Sequence, residues 1–268
     1  MMYNQKMRSH PYLGISEPVA GVAKELIESA DPYHRVHAAR LARTAEIIYH
    51  EIGQVQRVLE LGTSGFVPLL FNRLLPDTEV HVTHFDPTNK TIQDINIALG
   101  ENTITAKAFN IDLEKDNIPM SNERYDAVIC CEVLEHMEID PMFMLAEVNR
   151  VIKPNGKLLL TTPNITSSRA LHKILNGYEP HFYMQYHKSR EYHRHNYEYS
   201  APALVSVLQA AGFSGKVWSE DLFDDPVTSI VDKLRLCGFP VEQPGDNLIA
   251  LAVKISDVVD RHPSQIYV

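Results

Sequence analysis

The sequence from Arg57 to Phe66, RVLELGTSGF, contains an apolar run followed by two closely spaced glycines. The apolar run predicts a buried parallel strand, and Gly62 and Gly65 stand where that strand must turn sharply into a helix. Glycine lets the backbone adopt left-handed conformations, and it lets a ligand lie directly against the main chain. The stretch therefore predicts a strand, a ligand-binding turn and a helix. The alternative is a tight strand-to-helix turn that binds no ligand, since such a turn needs the same glycines.

A second apolar run, Val80–Phe85, ends at Asp86, 24 residues beyond Gly62. In a doubly wound sheet, a carboxylate at this place accepts hydrogen bonds from both hydroxyls of a ribose. The glycine spacing is G-x-x-G rather than the G-x-G-x-x-G of dinucleotide sites, and no basic residue stands nearby to meet a phosphate. Glu60 would repel a pyrophosphate, whereas its carboxylate can accept from the ammonium of an amino-acid moiety. The turn therefore favours a nucleoside cofactor without phosphates.

Further segments continue the alternation of strands and helices. The apolar segment Ala106–Ile111 is followed by Asp112, whose carboxylate can accept from the exocyclic amine of an adenine. The run Asp126–Cys131 predicts a central strand that delivers Cys131 and Glu132 to the crevice where such sheets bind ligands. The remaining elements are expected to be a helix at about Asp140–Ile152, a strand at Lys157–Thr162, and a reversed edge hairpin of Gly215–Ser219 and Asn247–Lys254.

The order of these motifs resembles the class I S-adenosylmethionine-dependent methyltransferases. The motifs are ELGTSG, FDP, IDLEKDNIP, YDAVICCEVLEHM and RVIKPNGKLLLTTPN, and the resemblance covers roughly residues 50–255. It implies a Rossmann-like, doubly wound α/β sheet of seven strands with a reversed edge strand and N-terminal helices. It also implies S-adenosylmethionine as the cofactor, bound by Glu60, Gly62, Gly65, Asp86, Asp112, Leu113, Cys131 and Glu132. The family often has three alternating glycines in the first turn, of which this chain keeps only the first in register.

The composition agrees with a single cytoplasmic enzyme domain. We expect an N-terminal helical cap over residues 1–52, a methyltransferase domain over residues 53–255 with a lid at about 165–200, and a C-terminal tail over residues 256–268. The net charge of −9, from 25 basic and 34 acidic residues, disfavours tight binding to nucleic acid. Three cysteines cannot form a disulfide framework and suit a reducing cytosol. No apolar run approaches the ~20 residues of a membrane span.

The segment Tyr178–Tyr199, called the aromatic segment below, is rich in rings. It holds 4 of the 13 histidines and 6 of the 12 tyrosines. Such a density is typical of a partly covered surface that stacks on a polar ligand or hydrogen-bonds it. The segment precedes the predicted helix Ala201–Ala211, at the place where the resembled family inserts its substrate lid. We interpret it as the acceptor site, and a lid that only packs remains the alternative.

Two histidines are candidate catalytic residues. A hydroxyl acceptor must lose its proton as it attacks a methyl group, and histidine has the ordinary pKa best suited to that task near neutral pH. His136 lies just past the fourth predicted strand, and His195 lies in the aromatic segment. Both are therefore predicted to act as a base or to line the acceptor pocket.

The same region contains a possible metal-binding pattern. Glu132, Glu135 and His136 form an E-x-x-E-H motif that resembles the small-RNA 3′-terminal 2′-O-methyltransferases. Positions i, i+3 and i+4 share one face of a helix, so these residues and His195 are predicted to hold Mg²⁺ or Mn²⁺. In the alternative, Glu135 caps or pairs locally and the histidines line the pocket without a metal.

Three segments in the C-terminal part of the sequence give information on the identity of the methyl acceptor. The segments TTPNITS, HNYEYSAPALVSVLQAAGF and RHPSQIYV resemble methyltransferases of bacterial polysaccharide and glycan biosynthesis. That resemblance implies O-methylation of a sugar hydroxyl on a glycan or nucleotide sugar. The alternatives are 2′-O-methylation of an RNA end, O- or N-methylation of another small molecule, and a cofactor-binding protein without catalysis. We therefore expect a small-molecule or glycan acceptor rather than nucleic acid, with a homodimer left open.

Overall fold

The computed structural model describes residues 10–28, 32–86, 92–99, 101–182, 194–239 and 241–268. The strands in these residues are β1 (Arg57–Leu61), β2 (Glu79–His84), β3 (Ile92–Leu99), β4 (Asn102–Asn110), β5 (Tyr125–Cys131), β6 (Ile152–Pro163), β7 (Phe213–Glu220) and β8 (Asn247–Lys254). The helices are α1 (Glu17–Glu28), α2 (Pro32–Val36), α3 (Ala38–Ile47), α4 (Phe66–Leu74), α5 (Pro141–Val151), α6 (Ser168–Leu175), α7 (Ala201–Ala210) and α8 (Thr228–Leu236). The sheet order is β3-β4-β2-β1-β5-β6-β8-β7.

The backbone contacts divide the chain into two units. The first comprises Met1–Ile129 and Val151–Lys157, and the second comprises Cys130–Arg150 and Leu158–Val268. In the part of the chain that the structure describes, no helix combines the length and the apolar character that crossing a bilayer demands.

The first unit is built on parallel strands, as predicted. Val58 of β1 lies opposite Val80 of β2, and Val82 of β2 lies opposite Ala108 of β4. The side chains of Val58 and Leu59 are fully buried because both faces of a parallel sheet are covered. Helix α1 packs against α3 and α4, so the amphipathic N-terminal sequence covers part of this unit.

Strand β3 is an element that the sequence analysis did not predict. Parallel strands such as β2 and β4 are usually joined through a crossover helix. Here the connection contains β3, which runs antiparallel to β4 and places Ile97 opposite Ile104. The sequence IQDINIAL alternates around Ile95 and Ile97, and β-branched residues at a period of two favour a strand. Within the described ranges, the sheet therefore has eight strands, one more than the seven expected.

The second unit ends in the predicted reversed hairpin. Strands β7 and β8 are antiparallel, with Phe213 opposite Lys254, and α8 lies between them in the chain. Gly212 enters β7 with a φ of 85°, and a Cβ at this position would lie 2.4 Å from the backbone oxygen of Ser256. Ser200 caps α7 by accepting a hydrogen bond from the backbone N–H of Ala203.

The C-terminal residues pack onto the second unit. The guanidinium of Arg261 donates to both carboxylate oxygens of Asp140, at 2.9 and 2.6 Å. The backbone N–H of Met142, at the start of α5, donates to the hydroxyl of Tyr267 at 3.1 Å. The predicted tail is therefore fastened to the first turn of the predicted helix at residues 140–152.

Candidate functional site

The turn after β1 requires its two glycines. Gly62 and Gly65 have φ values of 66° and 86°, which residues with a Cβ rarely adopt. Thr83 holds the turn, because its hydroxyl accepts from the N–H of Gly62 and its carbonyl accepts from the N–H of Thr63, both at 3.0 Å. A Cβ on Gly65 would lie only 3.0 Å from a methyl carbon of Ile97. The main chain of this turn is therefore bare of side chains, as a bound ligand would need.

Glu60 is a buried carboxyl group one residue before the turn. It is 5% exposed, and burial raises its pKa to about 7, while a hydrogen bond with Thr63 opposes the shift. Its Oε2 atom has no hydrogen-bond partner among the described residues. A cationic ligand would favour the ionised form, because the positive charge compensates for the hydration that the carboxylate has lost. The position therefore suits an ammonium group.

Asp86 and Asp112 follow the ends of β2 and β4. Asp86 is exposed, and the buried side chain of Asn110 holds its backbone through an accepted bond of 2.7 Å and a donated bond of 3.1 Å. The carboxylate of Asp112 accepts from the N–H of Glu114 at 3.0 Å and from Lys115 Nζ at 2.9 Å. Asp112 therefore caps its own turn, whereas Asn110 positions Asp86. Sequence reasoning missed Asn110 because it looked only for charged groups at strand ends.

Helix α2 brings one polar side chain, His34, to the same turn. His34 of α2 is buried, and its Nε2 lies 3.1 Å from the carbonyl oxygen of Ser64. Its ring packs edge to face against Tyr33, whose hydroxyl accepts from Arg40 Nη2 at 3.3 Å. Arg40 is 4% exposed. Arg40 was not predicted from the sequence, since an arginine in an amphipathic helix gives no local signal of its burial. A buried guanidinium is well suited to bind a carboxylate.

In the second unit, Glu132 follows the end of β5 in a left-handed backbone conformation, with a φ of 56°. Its Oε1 accepts from the hydroxyl of Thr161 at 2.7 Å and from Asn247 Nδ2 at 2.9 Å. The neighbouring Cys131 is half-buried. The short 3₁₀ turn begins only at Leu134, so Glu132 does not share a helix face with the two residues that complete its motif.

Three of the four predicted metal ligands come together. Glu135, His136 and His195 each offer a ligand atom, and these atoms lie within 4.8 Å of one another. Glu132 is not part of this group, because its left-handed backbone precedes the 3₁₀ turn and its carboxylate binds Thr161 and Asn247. Two imidazoles and one carboxylate suit Mn²⁺ better than Mg²⁺, which prefers oxygen ligands.

The hydrogen bonds of the two histidines define their tautomers. His136 Nδ1 lies 3.0 Å from the carbonyl oxygen of Arg194, and His195 Nδ1 lies 2.7 Å from Glu198 Oε1. Because both partners are acceptors, each neutral ring carries its proton on Nδ1 and its lone pair on Nε2. The ring centroids are 5.0 Å apart at an interplanar angle of 77°. The pair can therefore act through Nε2 as a base or as a metal ligand.

The aromatic segment is described only at its two ends. Tyr178 is exposed, whereas Tyr199 is buried and packs edge to face against Tyr197 at 4.8 Å between ring centroids. Residues 183–193, with three of the tyrosines and two of the histidines, lie outside the described residues. The interpretation of this segment as the acceptor lid therefore stays a prediction.

Comparison with known proteins identifies relatives. A family model described as a methyltransferase domain matches residues 30–217. A ubiquinone biosynthesis O-methyltransferase of Rickettsia typhi is 30% identical over 146 residues, which are 53% of this chain and 56% of that protein. The Rickettsia felis protein of the same name is 31% identical over 136 residues, which are 50% of this chain and 52% of that protein. The chain thus spans about half the length of the curated relatives it matches.

A solved structure confirms the fold. A S-adenosylmethionine-dependent methyltransferase from Archaeoglobus fulgidus superposes with a TM-score of 0.53 at 15% identity, covering 81% of this chain and 94% of that one. This agrees with the predicted Rossmann-like α/β architecture. The predicted likeness to enzymes of polysaccharide synthesis receives no support from the comparisons, since the curated relatives are named for ubiquinone biosynthesis.

Proposed function

This chain belongs to the methyltransferase-domain family, and we propose that it transfers the methyl group of S-adenosylmethionine to a ring hydroxyl of a small aromatic molecule. The observation that carries the proposal is the pair His136 and His195, whose Nδ1 atoms are both engaged by acceptors. That arrangement puts a basic lone pair on each Nε2, which a hydroxyl acceptor needs.

We assign cofactor binding to the turn after β1 and to the strand ends. The bare backbone of the glycine turn, the buried carboxyl of Glu60 and the exposed carboxylate of Asp86 suit the methionine backbone, its ammonium and the ribose. Arg40, absent from the sequence-based set, supplies a buried cation for the carboxylate of the methionine moiety. The set proposed from the sequence remains Glu60, Gly62, Gly65, Asp86, Asp112, Leu113, Cys131 and Glu132.

Methyl transfer requires the protein to remove one proton from the acceptor hydroxyl and to hold the acceptor oxygen in line with the bond between the methyl carbon and the sulfur. The cofactor supplies an electrophilic methyl group on a sulfonium. As the acceptor oxygen forms its new bond to that carbon, its proton passes to a histidine Nε2 and the carbon–sulfur bond breaks. Positioning of the two reactants can lower the barrier by about 7 kcal/mol.

A ring hydroxyl fits this base better than a sugar hydroxyl does. A phenolic hydroxyl has an ordinary pKa of about 10, which is within about 4 units of the ordinary pKa of histidine, whereas aliphatic hydroxyls are much weaker acids. The curated relatives are named as O-methyltransferases of ubiquinone biosynthesis, and their name points to a quinone-type ring rather than to a sugar. Both arguments favour an aromatic acceptor over a glycan.

The acceptor class is tested with the purified full chain and S-adenosylmethionine that is radiolabelled in its methyl group. We expect label to enter the catechol protocatechuate at least about 10-fold faster than it enters a nucleotide sugar or a short single-stranded RNA, because of the lower hydroxyl pKa. Protein carrying both His136→Ala and His195→Ala gives the background rate. Faster labelling of the nucleotide sugar would contradict the proposal and restore sugar methylation, and faster labelling of RNA would favour end modification.

The convergence of Glu135, His136 and His195 favours a second form of the same reaction, in which these residues hold Mn²⁺. A divalent ion there would polarise the acceptor oxygen and lower the pKa of its hydroxyl. The base and ligand roles exclude each other at one histidine, since Nε2 has a single lone pair.

Treatment with a chelator distinguishes the metal-assisted form of the reaction from the form in which a histidine is the base. If the metal assists, EDTA should abolish most of the transfer to protocatechuate, and added Mn²⁺ should restore it more fully than Mg²⁺, because two of the ligands are imidazoles. The matched control is binding of S-adenosylhomocysteine by calorimetry, which should not respond to EDTA. Unchanged turnover in EDTA would exclude the metal and leave the histidine base.

A further inference from the structure

We propose that Glu198 is a positioning residue that orients His195 and couples it to the anchored start of the aromatic segment. The proposal rests on the proposed function, in which His195 acts through Nε2. Glu198 is assigned no contact with the cofactor or the acceptor, and it acts through its neighbour His195.

The carboxylate of Glu198 is deeply buried. Its side chain is 0% exposed, and the residue as a whole is 5% exposed. A buried carboxylate is costly unless donors surround it, so its position is determined by its hydrogen-bond partners. A residue held in this way can hold its own partners with equal precision.

One oxygen of Glu198 serves two donors from different parts of the segment. Oε1 lies 2.7 Å from His195 Nδ1, three residues earlier in the chain, and it accepts from the backbone N–H of Phe182 at 2.7 Å. The other charged or titratable groups near this carboxylate include His181, whose Nδ1 lies 3.7 Å from Oε2. The place of the His195 ring is thus tied to the place of Phe182 through a single atom.

Phe182 is itself fastened by helix α6. The guanidinium carbon of Arg169 lies 5.0 Å from the centroid of the Phe182 ring, and Lys173 Nζ lies 5.9 Å from it. Lys173 Nζ also donates to the backbone carbonyl oxygens of Pro180 and His181. The ring of Phe182 further packs at 6.4 Å from that of Phe223. Phe182 is therefore a fixed point from which Glu198 can position a catalytic ring.

The chemical consequence concerns the tautomer of His195. An acceptor at Nδ1 keeps the ring proton there and leaves the lone pair on Nε2, which serves equally for a base and for a metal ligand. Without that acceptor the proton can occupy Nε2, where it removes the lone pair that the reaction needs. A carboxamide oxygen at the same position would accept both hydrogen bonds without the charge.

Two substitutions separate these roles. Glu198→Ala should lower kcat for protocatechuate by at least ~10-fold and leave the Kd for S-adenosylhomocysteine unchanged within about twofold. Glu198→Gln should stay within about threefold of the unmodified protein in kcat, because the amide oxygen still accepts. Glu242→Ala removes an exposed glutamate outside the aromatic segment, so it is the matched control and should change neither constant.

A spectroscopic measurement makes the test independent of activity. In EDTA-treated protein with ¹⁵N-labelled histidine, NMR should show the His195 proton on Nδ1 in the unmodified protein and in Glu198→Gln, and a shift towards Nε2 in Glu198→Ala. An unchanged tautomer in Glu198→Ala would overturn the proposal. If that variant does not fold, a Glu198→Gln protein with kcat lowered by ~10-fold or more would overturn it as well.

Different results contradict the positioning role of Glu198 and the catalytic role of His195. A shifted tautomer in Glu198→Ala with normal turnover would support the positioning role of Glu198 and would contradict the catalytic role of His195. An unchanged tautomer, together with a slow His195→Ala variant, would contradict the positioning role and leave the proposed function standing.

Discussion

Replacing Asp86 with alanine is expected to weaken the binding of S-adenosylmethionine by ~100-fold or more while the protein stays folded. A hydrogen bond to a charged group contributes about 1.5–3 kcal/mol, and a carboxylate that holds both ribose hydroxyls makes two. Since ~1.4 kcal/mol corresponds to a tenfold change in Kd, the loss of both exceeds two orders of magnitude. The side chain of Asp86 is exposed, and its backbone bonds to Asn110 do not involve the carboxylate, so stability should change little.

Calorimetric titration with S-adenosylmethionine and thermal unfolding of the same samples measure both parts of this result. Asp77→Ala is the matched control, because it removes the same charge from an exposed turn just before β2. Binding by Asp77→Ala should equal that of the unmodified protein. If Asp86→Ala bound the cofactor with unchanged affinity, Asp86 would have no part in holding the ribose.

Replacing His136 or His195 with alanine is expected to lower kcat by ~100-fold or more and to leave the cofactor affinity unchanged. General acid–base catalysis contributes typically ~100-fold to ~10,000-fold, and a lost metal ligand would be at least as damaging. Affinity should persist because Glu60 and Asp86, assigned to the ammonium and the ribose, are untouched. Single-turnover rates with protocatechuate and calorimetry with S-adenosylhomocysteine measure the two quantities.

A variant that carries both His136→Ala and His195→Ala tests whether the two histidines act as one unit. The two rings are 5.0 Å apart, so residues that act as one unit should show a double loss close to the larger single loss. His262→Ala removes an exposed histidine outside the predicted lid, so it is the control and should be as active as the unmodified protein. Near-normal rates in both single variants, measured with an acceptor that the protein methylates, would refute the proposed chemistry.

Much of the fold follows from local pattern. The apolar runs before Gly62 and Asp86 became β1 and β2, and the predicted helix at residues 140–152 became α5. The expected reversed hairpin is formed by β7 and β8. Periodicity succeeds here because a strand or helix buries one repeating set of positions, whatever lies farther along the chain. Strand β3 was not predicted because a connection between parallel strands is normally helical, although the alternation around Ile95 and Ile97 favours the extended form that pairs with β4.

The sequence by itself determined the backbone of the glycine turn and the carboxylates that follow the strands, because those features depend on neighbouring residues. Only the tertiary structure decided which side chains meet. It brought His195 beside Glu135 and His136, removed Glu132 from that group through a left-handed backbone, and placed Glu198 between His195 and Phe182. Local patterns cannot specify such meetings, because they depend on how residues distant in the chain pack and on which buried polar groups satisfy one another.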